Sequence, residues 1–284
     1  TISTLRKTVA QKNVKDSSEN GIDETRNTAT YYGEENKQCD IVFNLIAKIP
    51  DDITGYSKYD YTIIDIVDEG FDLQRDENSK VIMTMKIGDK VYTQSEINYT
   101  VEEIKVTEEN YADIQKELKL EDKGFEFYKE KTILKIDIVD LLNQIKDGKI
   151  SQAAEAVFEY HARLNGKHNV GYEENINTAH LIYSDNPNEP DSTSKTTSAI
   201  TYTYSIDLEI EKTNKEGQLL PDAEFEIYNE DKELIATIAT NSEGEAMGFA
   251  TYNSLGSGKY YIREVKSPEG YNKLREDIEI TIDA

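Results

Sequence analysis

Two ionisable side chains stand where a β core needs apolar ones. Residues 206–212 read Ile-Asp-Leu-Glu-Ile-Glu-Lys. Alternate residues of a strand point to opposite faces, so Lys212 projects with Ile206, Leu208 and Ile210. In Tyr260-Tyr261-Ile262-Arg263-Glu264, Glu264 shares its face with Tyr260 and Ile262. A lysine and a glutamate aimed into a core are costly unless they meet or react. The bland alternative is a lysine that snorkels to water, with Glu264 as an ordinary salt-bridge partner. Other chemistry has less support. His161, His168 and His180 lack ligand spacing. The chain has no Gly-x-Ser-x-Gly elbow and no phosphate-cradling glycine loop. Its one cysteine, Cys39, opens a strand-like run and reads as a small buried hydrophobe, and a single cysteine permits no internal disulfide.

The elements that must position these residues are mostly strands. Period-two alternation marks Leu5-Lys7-Val9, Ile41-Phe43-Leu45, Tyr61-Ile63-Asp65-Val67, Val81-Met83-Met85 and Ala156-Phe158-Tyr160-Ala162-Leu164. Short helices are expected over residues 108–118, capped by Thr107, and over 139–146, stopped by Gly148. Residues 185–198 are polar, carry two prolines and read as a loop or linker. The expected fold is therefore mainly β, with two tandem Ig-like β-sandwich domains over residues 1–198 and 199–284. The first is the larger, with insertions and one or two short helices.

A net charge of −24 argues against nucleic acid as a partner, because phosphate binding needs basic surface. No apolar stretch approaches a membrane span, and the first twenty residues hold no signal-peptide core. Export would then make this chain a trimmed fragment.

Three segments of the second domain carry a resemblance. Lys212-Thr213-Asn214, Leu220-Pro221-Asp222-Ala223-Glu224-Phe225-Glu226-Ile227-Tyr228 and the run from Tyr260 to Tyr271, with its Glu264 and Pro268-Glu269-Gly270-Tyr271, are similar to the SpaA-like (Cna-B type) domain of Gram-positive pilins and adhesins. Upstream, Leu5-Arg6-Lys7-Thr8-Val9, the run from Tyr61 to Phe71 and the run from Asn177 to Asn188 resemble the fimbrial isopeptide-formation domain. The resemblance implies an intramolecular amide between a lysine and an asparagine or aspartate in each domain, assisted by a carboxylic acid. Burial favours the neutral, nucleophilic amine, and the fold supplies proximity.

Carried over residue by residue, Lys7 is the first nucleophile and Asp65 its acid. Strand parity from Ala179, Leu181 and Tyr183 puts the acceptor at Asp185, with Asn186 as the alternative. In the second domain Lys212 is the nucleophile and Glu264 the acid. The next inward position of the last strand falls on Ala284, so Asp283 reacts only through a bulge, or the acceptor lies beyond residue 284, or no bond forms. The resemblance further implies a structural pilin or adhesin stalk, not an enzyme, on the cell wall of a Gram-positive bacterium. Its implied partners are other pilin subunits or the cell wall, joined by sortase in the parent protein. A host matrix protein or glycan bound by first-domain insertions is the alternative role. No cofactor is expected.

Overall fold

A computed structural model describes residues 3–11, 28–30, 41–256 and 258–282. Cys39, Asp283 and Ala284 lie outside the described residues. The chain divides into two compact units. The first holds most of the described residues up to His168, together with Glu174–Thr203. The second runs from Tyr204 onward and takes in Asn169–Glu173.

The first unit is built from β1 (Leu5–Gln11), β2 (Thr28–Thr30), β3 (Ile41–Lys48), β4 (Tyr61–Val67), β5 (Phe71–Leu73), β6 (Met83–Ile87), β7 (Lys90–Tyr92) and β8 (Tyr99–Ile104). Then come α1 (Tyr111–Glu117), α2 (Phe125–Tyr128), β9 (Thr132–Ile138), α3 (Leu141–Lys146), β10 (Glu155–Leu164), β11 (Asn175–Ser184), β12 (Thr193–Lys195) and β13 (Ala199–Tyr204). One sheet has the order β1-β3-β10-β6-β7, with β5 also on β10. The other has the order β2-β13-β11-β4-β9-β8, with β12 also on β11. The polar stretch 185–198 is thus not a plain linker. It contributes the edge strand β12, and β13 after it pairs with β11. The unit boundary falls after Thr203 rather than at residue 198. Composition misleads here because short edge strands carry polar side chains.

The expected helix over 108–118 starts later, at Tyr111. Thr107 and Asn110 form a reciprocal pair instead, in which the Thr107 amide donates to Asn110 Oδ1 at 2.7 Å and the Asn110 amide donates to Thr107 Oγ1 at 3.3 Å. That closes residues 107–110 into a turn. The segment holding α1 and α2 covers one face of the β4–β9–β11 sheet. Leu118, Leu120 and Tyr128 pack there against Ile64, Ile133 and Ile182. Each such fully buried side chain contributes about 1.5–3 kcal/mol. Central strands are consequently buried on both faces, which blurs simple alternation in β4 and β11.

His180 on β11 lies under this segment, and its Nε2 donates to the Leu118 carbonyl at 2.7 Å. Burial holds the imidazole below its ordinary value of 6.5. The unfolded chain takes up this proton near 6.5 and the folded one only at lower pH. The contribution of His180 to stability is therefore complete above the unfolded value and is lost as pH falls through it. Hydrogen exchange in the α1–α2 segment, corrected for intrinsic rates, is expected to accelerate between about pH 7 and about pH 5. His180→Gln should remove that dependence. Equal protection at both pH values in the parent chain would contradict it.

The second unit comprises β14 (Ile206–Glu211), β15 (Glu224–Tyr228), β16 (Leu234–Ala239), β17 (Phe249–Leu255), β18 (Gly258–Lys266) and β19 (Ile278–Ile282). β14 pairs with β17, and a second sheet runs β16-β15-β18-β19. Their inner faces meet through Leu208, Ile210, Phe225, Ile227, Tyr260 and Ile262. Among the described residues no helix is long and apolar enough to cross a membrane.

Candidate functional site

Lys7 is the most deeply buried lysine among the described residues. β1 is held antiparallel to β3 with Lys7 opposite Leu45, and β3 in turn pairs Phe43 with Tyr160 of β10. This register sends Lys7 and Tyr160 into the core from one sheet. From the other sheet come Asp65 on β4 and Asn177 on β11, where Asp65 pairs with Ala179 and Asn177 with Val67. Asp65 and Asn177 are thus diagonal neighbours on one face, close enough for polar side chains to share partners.

The four side chains form one hydrogen-bonded cluster. Lys7 Nζ is ion-paired with Asp65 Oδ1, and both side chains are fully excluded from solvent. Lys7 Nζ also donates to the Tyr160 hydroxyl at 3.2 Å. That hydroxyl donates to Asp65 Oδ2 at 2.6 Å. Asn177 Nδ2 donates to the same hydroxyl oxygen at 2.6 Å. Asn177 Oδ1 is buried without a hydrogen-bond partner among the described residues. An orphaned carbonyl costs about 1–3 kcal/mol and calls for an explanation. Aromatic rings wall the cluster: Phe43 stacks on Tyr160 at 5.2 Å, and Lys7 Nζ sits 5.1 Å from the Phe43 ring centre.

Burial lowers the Lys7 amine to about 8, against the opposing pull of the Asp65 charge and hydrogen bond. A lowered amine pKa raises the share of the nucleophilic form near neutrality. Burial pushes the Tyr160 phenol well above its ordinary value, so it stays protonated. The arrangement gathers an amine, a carboxyl and a carboxamide around one tyrosine hydroxyl, away from water. Those are the parts needed to form an amide with loss of ammonia.

The expected acceptors lie elsewhere. β11 ends at Ser184, and Asp185 is exposed beyond it, accepting a hydrogen bond from Ser194 Oγ. Asn186 closes a turn through the Asn188 amide at 3.0 Å. Neither joins the Lys7 cluster. Parity selects a face of the strand but not the height along it at which the opposing sheet brings its lysine. Asn177 shares that face and lies in the run from 177 to 188, so the signal for it was present. Tyr160 likewise falls on the inward parity of its strand.

In the second unit the structure brings Lys212 and Glu264 together, with Lys212 Nζ 3.0 Å from Glu264 Oε1. The Glu264 side chain is fully excluded from solvent and that of Lys212 is 14% exposed. Glu264 Oε2 also accepts the Leu274 amide at 2.7 Å. Lys212 is anchored by its own amide, which donates to the Gly248 carbonyl at 3.0 Å. Gly248 has φ +83°, and a Cβ there would lie 2.7 Å from Leu219 Cβ, so the close approach requires glycine. β19 directs Ile280 and Ile282 at the core. Asp283, the acceptor expected from the sequence, lies outside the described residues.

The fold, tandem β-sandwich units in one chain, is that of Gram-positive major pilins. The structure of the T6 backbone pilin of serotype M6 Streptococcus pyogenes superposes with a TM-score of 0.61 at 19% identity, over 100% of this chain and 52% of that one. The 35 kDa C-terminal fragment of the major pilin GBS80 of Streptococcus agalactiae gives 0.64 at 16% identity, over 99% and 91%. The Corynebacterium diphtheriae major pilin SpaA gives 0.59 at 15% identity, over 99% and 64%. Residues 206–284, which make up most of the second unit, match the SpaA prealbumin-like fold domain family. The chain is also 36% identical over 137 residues to the trypsin-resistant surface T6 protein of Streptococcus pyogenes serotype M6, an alignment covering 43% of this chain and 24% of that protein. The chain therefore matches about a quarter of that relative's length.

Proposed function

We propose that this chain is a force-carrying part of a Gram-positive surface pilus, and that an amide between Lys7 Nζ and Asn177 Cγ closes its first unit. One observation carries the reading: Lys7, Asp65 and Asn177 are buried in one cluster joined through the Tyr160 hydroxyl. The pilin fold supports the mechanical role. The structure of the Corynebacterium diphtheriae major pilin SpaA points to a modular pilus assembly and stabilizing isopeptide bonds in that protein. Here β1 and β11 lie near the two ends of the first unit's sequence, so a tension applied along the chain would run through the bond rather than through sheared strands. The reaction occurs once, within the fold, and involves no turnover. Lys212 and Glu264 would serve as amine and acid in the second unit, with Asp283 as the proposed acceptor. Assembly with other pilin subunits by sortase, and attachment to the cell wall, belong to the same proposal for the parent protein.

The test is the intact mass of the denatured chain, followed by digestion. The expected result is a deficit of one ammonia on a branched peptide joining Lys7 to Asn177. A mass equal to the sequence sum would overturn the reading.

A further inference from the structure

We propose that Tyr160 is a catalytic residue of the amide-forming step, carrying a proton from the Lys7 amine to the departing nitrogen of Asn177. The inference rests on the reading of Lys7 and Asn177 as amine and acceptor, and adds a group to that reaction. A phenol has one hydrogen and two acceptor lone pairs. In Tyr160 all three are engaged, and each partner is a participant. The oxygen accepts from Lys7 Nζ at 3.2 Å and from Asn177 Nδ2 at 2.6 Å, and the hydrogen is donated to Asp65 Oδ2 at 2.6 Å. One atom therefore touches the nucleophile, the leaving group and the acid. Asp65 does not span the same distance: its Oδ1 faces Lys7, and its Oδ2 reaches the cluster through Tyr160.

The proton count gives such a bridge a task. Lys7 begins as an ammonium beside the Asp65 carboxylate. Transfer of one proton to Asp65 leaves a neutral amine, whose electron pair forms the new bond to Asn177 Cγ. The nitrogen that attacked now carries a surplus proton, and Nδ2 needs one to depart. Once Asp65 is protonated, its Oδ2 holds the Tyr160 hydrogen less strongly. The hydroxyl can then pass that hydrogen to Nδ2 and take the surplus proton from Nζ. The Cγ–Nδ2 bond breaks, ammonia leaves, one hydrogen stays on the new amide, and Asp65 ends as the neutral acid. Charge and atoms balance without water, which matters at a site where Lys7, Asp65, Tyr160 and Asn177 are all buried. Stacking on Phe43 fixes the ring, so the hydroxyl is placed before reaction.

The experiment follows bond formation during cell-free synthesis by timed denaturation and intact mass. The parent chain is expected to lose one ammonia, with a solvent deuterium isotope effect on the rate. Tyr160→Phe keeps the ring and removes the relay, and is expected to slow the step about 100-fold or more. Its fold is checked by circular dichroism in a Lys7→Met background, where no bond can form. If the phenylalanine variant does not fold, a fluorinated tyrosine at position 160 keeps the shape and changes the acidity of the hydroxyl. It is expected to shift the rate and its pH profile. A folded phenylalanine variant that reacts at the parent rate, or a fluorinated chain with unchanged rate and pH profile, would overturn the role of Tyr160 alone. A parent chain that never loses ammonia would overturn the amide reading itself.

Discussion

Asn177→Ala should show no loss of ammonia and unfold about 10–20 °C below the parent chain. The figure follows from loop closure. A covalent link between residues 7 and 177 removes denatured-state entropy as a disulfide over a similar span would, at about 5 kcal/mol for loops beyond about 100 residues. At this chain size each kcal/mol shifts the midpoint by about 2–4 °C. Scanning calorimetry gives the midpoint and intact mass gives the bond. Asp185→Ala and Asn186→Ala are the informative controls. Both side chains lie outside the Lys7 cluster, so both variants should still lose ammonia. An Asn177→Ala chain that still loses ammonia, or an Asp185→Ala chain that does not, would move the acceptor back to the end of β11.

Asp65→Ala is expected to be as severe for a different reason. It removes the only carboxylate paired with Lys7 among the described residues and leaves an amine in a site closed to water. Breaking a buried pair from one side costs about 3–5 kcal/mol, because the remaining charge has no partner. The amide should also fail to form, since no group remains to take the first proton. The two losses can be separated in urea. Lys7→Met also loses the bond and strands the Asp65 carboxylate in its turn, whereas removing both partners loses the bond and leaves neither charge unpaired. The double variant Lys7→Met with Asp65→Ala should then be more stable than Asp65→Ala alone, a strong departure from additivity. Simple additivity, or an Asp65→Ala chain that crosslinks and unfolds like the parent, would show that Asp65 is not the partner.

Much of this site is legible in the sequence. Lys7, Asp65, Lys212 and Glu264 all stand out because a charged residue on the apolar parity of a strand is costly in isolation. Alternation along a single strand marks such positions, being a local property of the backbone, while the roles given to Lys7 and Asp65 come with the family resemblance. The β-rich fold is legible for the same reason, through alternating segments and turn residues between them. The helices are placed less well, because Thr107 and Asn110 satisfy each other in a turn and so delay the helix to Tyr111.

What local pattern cannot carry is which height on one strand meets which height on another sheet. Asn177 and Asp185 share a parity, but Asn177 lies within β11 against Tyr160 whereas Asp185 lies exposed beyond the end of the strand. The same holds for Tyr160, an ordinary inward tyrosine until two sheets close on it. The unit boundary behaves likewise, since β13 pairs with β11 despite the polar stretch before it. The kinds of side chain forced into the core, and the faces they occupy, follow from the two-residue period of a strand and are written in the chain itself. Which of them meet was settled only by tertiary structure. That depends on sheet packing between residues as far apart in sequence as Lys7 and Tyr160, 153 positions, which no single strand encodes.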